Sequence, residues 1–284
     1  MKRTTIGLVL SLALALVSMP LWAADDQTEL AKNAQNPVAG DETELAKKAQ
    51  NPVADLISIP IQPNFNFNYG ANRNKSQIVT NIQPVVPISL NKDWNLITRT
   101  ILPVVYTEYP AYQTGLSNLQ FTGFLSPANS GKFMWGVGPV FQFPTTTDTY
   151  LGNKMWSAGP SAAGVFTSGH WVVGLLVQNV WSFAGPSGQS NPSVNQFLAQ
   201  YFINYNLQKG WYITSSPIIT ANWKAAGPDQ WTVPFGGGVG KIFKIGKLPF
   251  NANVQAFYNV ERPGIGPDWS IRGQIALLLP KDIF

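Results

Sequence analysis

The chain has 284 residues, no cysteine and a formal net charge of +5, and charged and aromatic residues each make up 12% of it. The missing cysteines exclude a disulfide scaffold and thiol chemistry, and so weak a charge gives no basis for a nucleic-acid partner. Few charges beside many aromatic residues are unusual for a soluble domain and suit a protein that faces two solvents.

The first segment is predicted to be a secretory signal peptide at residues 1–23. Lys2 and Arg3 form a positive n-region, residues 6–17 form an apolar h-region, and Ala23 precedes the cleavage site, with Ala24 as the alternative. No later segment approaches the roughly 18 consecutive apolar residues of a transmembrane helix. A membrane barrel remains compatible with this pattern, because its strands give a weaker signal per segment.

A short peptide occurs twice in residues 24–54. TELAKNAQNPVA at 28–39 recurs as TELAKKAQNPVA at 43–54, and Thr43 can cap the second copy. Good helix formers follow the threonine in each copy. A proline ends each helix, because proline disfavours helical backbone in the residue before it. The second copy leads into the first strand, so we predict that it lies in the periplasm or folds into the lumen as a plug.

Residues 55–284 are predicted to form an all-β, up-and-down transmembrane antiparallel barrel of about twelve strands. Segments that alternate apolar with polar or small residues lie at 56–69, 76–90, 94–107, 118–126, 132–144, 155–167, 170–183, 194–206, 211–223, 231–243, 248–261 and 268–280. Long and short connections alternate between them, as in a barrel with one rim in the periplasm. Tryptophans near both strand ends predict the two aromatic girdles of a membrane barrel. The predicted location is the outer membrane of a Gram-negative bacterium.

Polar residues on the predicted inner faces are the candidate lumen lining. They are Arg99, Arg272, Glu261, Gln200, Asn204, Gln255 and Gln274. A charge that faced lipid would cost about 2–4 kcal/mol at the bilayer midplane, so we place the charged members inside. Two interpretations stay open. The charges are satisfied by one another and by neighbouring amides, or the arginines form a constriction that favours anions or selects dipoles.

No catalytic, metal or cofactor site is predicted, and the chain is not expected to be an enzyme. His170 is the one histidine, whereas triad chemistry needs a nucleophile, a base and an orienting group together. The glycine-rich FGGGVGKI at 235–242 lacks the spacing of a phosphate-binding loop and has Ile242 where Ser or Thr would follow the lysine. No cluster of residues has the ligand spacing of a zinc site.

Five stretches carry a resemblance to a known family. They are AQNPVADLISIP (49–60), NIQPVVPISLNKDWNLITRTILPVV (81–105), GVGPVFQFPT (136–145), MWSAGPSA (155–162) and IRGQIALLLPK (271–281). In order and spacing they resemble the outer-membrane barrel family labelled meta-pathway of phenol degradation, whose members are often called transporters. The resemblance implies a barrel that passes small, hydrophobic or aromatic molecules, and it carries over no functional residue. The chain departs from the family pattern in its doubled helix and in residues 280–282, which interrupt the alternation before Phe284.

The sequence therefore predicts an outer-membrane channel or facilitator for small solutes. Twelve strands lie between the filled eight-stranded barrels and the water-filled porins, so the lumen should be narrow. The alternative is a structural or surface-binding barrel with a closed lumen, whose function lies in the loops at 106–115 and 183–193. Expected partners are outer-membrane lipid, a small-molecule solute and the outer-membrane assembly machinery, which would read the terminal aromatic residue.

Overall fold

A computed structural model of the chain describes residues 37–54, 56–186 and 192–279. The predicted signal peptide, most of the first copy of the repeat and Phe284 lie outside these ranges. Within them, no helix is long and apolar enough to cross a membrane.

Twelve antiparallel strands of the described residues form one closed barrel. The strands are β1 (Ile57–Tyr69), β2 (Lys75–Ile82 and Val85–Ser89), β3 (Trp94–Thr107), β4 (Gln113–Leu116 and Leu119–Pro127), β5 (Phe133–Phe143), β6 (Trp156–Ser168), β7 (Trp171–Ala184), β8 (Asn195–Asn206), β9 (Trp211–Ser215 and Ile218–Asn222), β10 (Trp231–Ile245), β11 (Leu248–Glu261) and β12 (Trp269–Leu279). Each strand pairs with the next, and β12 pairs with β1 from Ile57 opposite Leu279 to Phe67 opposite Trp269. Closure removes the exposed sheet edge, and the predicted fold and strand number are confirmed.

Short and long connections alternate around the barrel and define its two rims. The short-turn rim carries residues 90–93, 128–132, 169–170, 207–210 and 246–247, together with the start of β1 and the end of β12. Gly169, Gly210 and Gly246 have positive φ in these tight turns, where glycine carries no steric penalty. The long-loop rim carries the other six connections, and one of them contains a 3-10 turn at Gly227–Asp229. Both rims agree with the predicted arrangement.

Three strands are interrupted, and two of the interruptions contain a proline. Pro84 divides β2 and Pro217 divides β9, because proline cannot donate to the ladder. The structure also extends β4 toward the long-loop rim to Gln113, five residues before the predicted start at 118. The Leu116 N–H donates to Thr147 Oγ1 at 3.1 Å, so the long loop between β5 and β6 stabilises this extension.

The helix α1 (Pro37–Ala49) begins six residues before the predicted cap at Thr43. Pro37 therefore starts this helix, where the sequence analysis predicted that it would end an earlier one. A proline suits the first helical position, because its φ is already helical and the N–H that it lacks needs no partner there. The helix ends ahead of Pro52 as predicted, and the chain turns through residues 50–54 into β1.

The outer surface of the barrel is apolar and its inner surface is largely polar. Along β11, Val254 and Tyr258 are 50% and 60% exposed, whereas Asn251, Gln255 and Asn259 between and beside them are buried. A soluble sandwich has the opposite arrangement. Aromatic contacts at the short-turn rim are Trp94–Trp135 and Trp171–Tyr205, and those at the long-loop rim are Phe67–Trp269, Phe143–Trp156 and Trp223–Trp231. These positions are those of the predicted girdles.

Candidate functional site

The chain between α1 and β1 lies inside the barrel at the short-turn rim, and we call residues 46–54 and Leu56 the plug segment. Val53 is 4% exposed and belongs to a cluster of inner-face side chains that includes Phe124, Leu176 and Phe202. Ala46 and Leu56 belong to a second cluster on the opposite strands, with Ile242, Ala276 and Leu278. Apolar contacts therefore fill this end of the lumen on both sides of the plug segment.

Polar contacts also hold the plug segment to the barrel. The side-chain amides of Gln50 and Asn206 exchange two hydrogen bonds. Asn51 Oδ1 accepts a hydrogen bond from the Val53 N–H at 3.0 Å, which closes the turn that directs Val53 into the lumen. Asn51 Nδ2 also donates to Met134 Sδ at 3.0 Å. The plug segment contributes no strand to the sheet, so side-chain contacts and turns hold it in the barrel.

Beyond the plug segment lies a cavity of about 160 Å³, which we call the inner cavity. Its apolar lining residues, which we call the apolar wall, include Leu56, Val85, Leu176 and Phe202. Its polar lining residues from the strands, which we call the polar wall, include Ser58, Gln62, Gln83, Arg99, Gln200, Asn204, Tyr212, Thr214, Ser216, Asn251, Asn253, Gln255 and Gln274. Polar residues outnumber apolar ones in this lining, so the cavity suits a small solute that carries hydrogen-bonding groups.

A chain of hydrogen bonds runs through three glutamines from Arg99. Arg99 Nη2 donates to Gln83 Oε1 at 2.7 Å, Gln83 Nε2 donates to Gln62 Oε1 at 3.0 Å, and Gln62 Nε2 donates to Gln274 Oε1 at 2.8 Å. Every amide oxygen in this chain accepts a hydrogen bond. The Gln274 amide nitrogen is left as its terminal donor among the described residues.

A second chain runs along the neighbouring part of the polar wall. Gln255 Nε2 donates to Asn253 Oδ1 at 3.1 Å, Asn253 Nδ2 donates to Tyr212 Oη at 3.4 Å, and the Tyr212 hydroxyl donates to Asn251 Oδ1 at 2.6 Å. The Gln255 oxygen accepts from the Ser216 N–H and hydroxyl. The oxygens are again engaged, and the Asn251 amide nitrogen is the terminal donor.

Glycines on the inner face make room for the two aromatic residues of this site. A Cβ on Gly240 would lie 2.2 Å from Cζ of Tyr212, and a Cβ on Gly174 would lie 2.3 Å from Cζ of Phe202. Any residue with a Cβ at these two positions would overlap the rings, so glycine is what lets the rings lie against the wall. The segment 235–242, which superficially resembles a phosphate-binding loop, thus has a packing role at Gly240.

The structure places five of the seven predicted lining residues at the inner cavity: Arg99, Gln200, Asn204, Gln255 and Gln274. Arg272 is 6% exposed but lines none of the described cavities. Its Nε donates to Asn64 Oδ1 and its Nη1 donates to the Ser216 carbonyl, each at 2.8 Å, and its guanidinium lies 4.9 Å from the centre of the Phe257 ring. Glu261 is exposed at the long-loop end of β11 and also lines none of them.

Sequence reasoning missed the glutamines that connect Arg99 to the rest of the wall. Gln62, Asn64 and Asn66 follow one another at every second position of β1. The two-residue period of the strand could therefore have identified Gln62 as an inner-face residue. Gln83 lies at the proline interruption of β2, where the alternation fails, and gives no local signal. Tyr212 looks like an ordinary aromatic strand residue unless it is paired with the glycines of β10.

A second cavity, of about 660 Å³, lies under the long loops, and we call it the outer cavity. Gln120, Gln142, Gln178 and Gln196 line it from the strands, and it shares no lining residue with the inner cavity. Loops cross its mouth: the Gly264 N–H donates to Asp229 Oδ1 at 2.7 Å, and Asp268 forms ion pairs with Arg73 and Arg262.

The site shows no catalytic constellation within the described ranges. The ring nitrogen Nδ1 of His170 lies 2.7 Å from the Asn206 carbonyl oxygen, which makes it the donor, and no serine or carboxylate contacts this ring. The same ranges contain no group of three His, Asp or Glu residues that could hold a metal ion. The polar wall can therefore bind and orient a solute, and it offers no evident nucleophile.

No family model and no curated protein matches the chain, so the specific family label stays a prediction. The fold matches the COG4313 outer membrane channel from Pseudomonas putida F1 with a TM-score of 0.62 and 16% identity, over 81% of this chain and 98% of that one. It also matches the NanC porin with a TM-score of 0.50 and 8% identity, over 77% of this chain and 98% of that one. The chain thus has the fold of outer-membrane β-barrels, and this fold agrees with its predicted location.

Proposed function

We propose that this protein is an outer-membrane channel for small solutes and that the plug segment closes it at the periplasmic rim. The observation that carries this proposal is the position of the plug segment, which lies inside the lumen without joining the sheet. Such a segment can leave or shift while every strand keeps its partners. The names of the two similar structures, a channel and a porin, support a transport role.

The lining of the two cavities limits what such a channel would pass. Both cavities are lined chiefly by amides and apolar groups, and the inner one has a volume of about 160 Å³. A narrow, weakly charged lumen favours small molecules over large hydrated ones. The apolar wall with Leu176 and Phe202 also fits the small hydrophobic or aromatic solutes that the family resemblance implies.

Swelling of proteoliposomes tests this function directly. The mature chain and a chain that starts at Asp55 are compared over a series of solutes of increasing size, with lipid-only vesicles as the baseline. We expect swelling by solutes of about one sugar unit or smaller and a higher rate for the shortened chain. Heat-modifiable migration on a gel shows that both proteins are folded. No swelling by either folded protein would contradict the proposal.

One observation favours the second candidate, a surface-binding barrel with a closed lumen. The two cavities share no lining residue, and the long loops are tied together by Asp229 and Asp268. In that case loop substitutions would change binding at the cell surface, and removal of residues 24–54 would leave the vesicles impermeable. The lipid partner follows from the apolar outer belt, whereas recognition by the assembly machinery stays a prediction.

A further inference from the structure

We infer that the inner cavity binds a small organic carboxylate, with its carboxylate group on Arg99 and an apolar body of about one benzene ring against Val85, Leu176 and Phe202. The biological use of this site rests on the proposed channel function. Binding itself requires only the folded barrel and can be measured without transport.

Arg99 presents its donors to the inner cavity, whereas Arg272 does not line it. A guanidinium carries five N–H donors in a planar fork that matches a carboxylate. The described partner of Arg99 is one amide oxygen, Gln83 Oε1, and the side chain lines the inner cavity. Arg272 instead donates from Nε and Nη1, lies against the Phe257 ring and lines none of the described cavities. Neither arginine takes part in an ion pair of the described residues.

Both hydrogen-bond chains of the polar wall end in an amide donor. In the chain from Arg99 to Gln274 and in the chain from Gln255 to Asn251, each amide oxygen accepts from its neighbour. The groups left over at the ends are the amide nitrogens of Gln274 and Asn251. Aligned chains of this kind polarise one another, so their donor ends attract negative charge more strongly than single amides do.

Charge and volume complete the match to a carboxylate. The described lining residues contain two cations, Arg99 and Lys48 of the plug segment, and no acid. A cavity of about 150 Å³ admits benzene, and the inner cavity is of that size at about 160 Å³. Its apolar and polar lining residues are neighbours, since Val85 pairs with Arg99 and Leu176 pairs with Gln200, so a ligand with one ring and one carboxylate contacts both.

Isothermal titration of benzoate into the folded full-length barrel in detergent tests the site. We expect saturable binding to the unchanged protein and a dissociation constant raised at least about tenfold by Arg99→Gln, because a bidentate charge-assisted contact is lost. Arg272→Gln is the matched control and should leave the constant within about twofold, since that guanidinium does not reach the cavity. Benzamide is a neutral molecule of the same shape. Its dissociation constant should be similar for the unchanged protein and for both arginine variants. Gel migration without heating shows that each variant is folded.

The outcomes separate this inference from the proposed channel. Absence of saturable benzoate binding to the folded protein, or an equal loss in Arg272→Gln, overturns the carboxylate site and leaves the channel untouched. Equal weakening of benzoate and benzamide by Arg99→Gln also overturns it, because the carboxylate would then not be the recognised group. Benzoate binding in a protein that never makes vesicles permeable supports the site and contradicts the channel.

Discussion

The side-chain amides of Gln50 and Asn206 form a reciprocal pair. Gln50 Nε2 donates to Asn206 Oδ1 at 2.9 Å, and Asn206 Nδ2 donates to Gln50 Oε1 at 3.1 Å. Gln50 belongs to the plug segment, and Asn206 is the last residue of β8, with 0% of its surface exposed. The pair therefore joins the plug segment to the wall at the short-turn rim, and it breaks whenever the plug segment leaves.

Gln50→Ala should raise the population of the unplugged state. Loss of the pair leaves a buried amide of Asn206 without that partner, and an unsatisfied buried group costs about 1–3 kcal/mol. Because 1.4 kcal/mol is a factor of ten, we expect the open fraction in single-channel recordings to rise about tenfold. Glu44→Gln is the control on the same helix, since Glu44 is 66% exposed and Lys47 is its one ion-pair partner among the described residues. Equal open fractions in the unchanged protein and in both variants would show that the Gln50 side chain does not stabilise the plugged state.

Gly240→Ala should destabilise the barrel. Its Cβ would lie 2.2 Å from Cζ of Tyr212, so the ring must move and its 2.6 Å hydrogen bond to Asn251 is lost. Overpacking of this kind costs about 1–3 kcal/mol, which urea unfolding in lipid vesicles can measure. Gly123→Ala is the control, since its nearest atom would lie at an ordinary 3.5 Å from Leu96. Equal stabilities of the two variants would show that the close approach at Gly240 is not required.

Arginine substitutions on the outer face should cost more in the middle of β11 than at its end. Val254 and Val260 are 50% and 60% exposed on the same face, and Val260 lies next to the long-loop rim. In a bilayer, Val254→Arg should destabilise by about 2–4 kcal/mol and Val260→Arg by about 0–1 kcal/mol. Unfolding in vesicles measures both values. Similar costs at the two depths would argue against a lipid-facing belt.

Asp268→Asn should loosen the loops over the outer cavity with little effect on global stability. Asp268 pairs with Arg262, whose nearest nitrogen is 2.8 Å away, and with the more exposed Arg73. Arg73 is 48% exposed, so its pair contributes only about 0–1 kcal/mol. Arg262 is largely buried at 13% exposure, but its guanidinium still donates to the Pro263 carbonyl when Asp268 becomes asparagine. We expect faster amide hydrogen exchange in residues 262–268 and an unchanged unfolding midpoint. Unchanged hydrogen exchange in this loop would contradict a role for Asp268. Backbone hydrogen bonds, such as that from the Gly70 N–H to the Ile265 carbonyl, would then be sufficient to order the loop.

The fold was predictable from sequence because strand alternation is a local property with a period of two residues. The same period placed Gln255 and Gln274 on the inner face. Contacts between distant parts of the chain were not predictable. Arg99 donates to Gln83 because the register of β2 and β3 brings the two residues together. That register depends on the proline interruption of β2. Arg272 has the same alternation signal as Arg99, yet neighbouring groups engage it outside the cavity.

The second repeat shows a different limit of sequence reasoning. Pro37 can end one helix or begin the next, since residues on both sides have helical propensity. Its role depends on where the chain must enter the barrel, and the structure starts α1 there. The alternatives of a periplasmic helix and a lumen plug were likewise equal in sequence terms. The burial of Val53 and Ala46 against inner-face side chains favours the plug.

Single-channel conductance tests the central claim most directly. The refolded mature protein is recorded in a planar bilayer beside a chain that starts at Asp55, with folding shown on the same samples. The account predicts small or rare openings for the mature protein and a larger, steadier conductance for the shortened chain, because its inner lumen loses the side chains of the plug segment. Identical conductance of the two folded proteins, or none from either, would contradict a lumen closed by the plug segment.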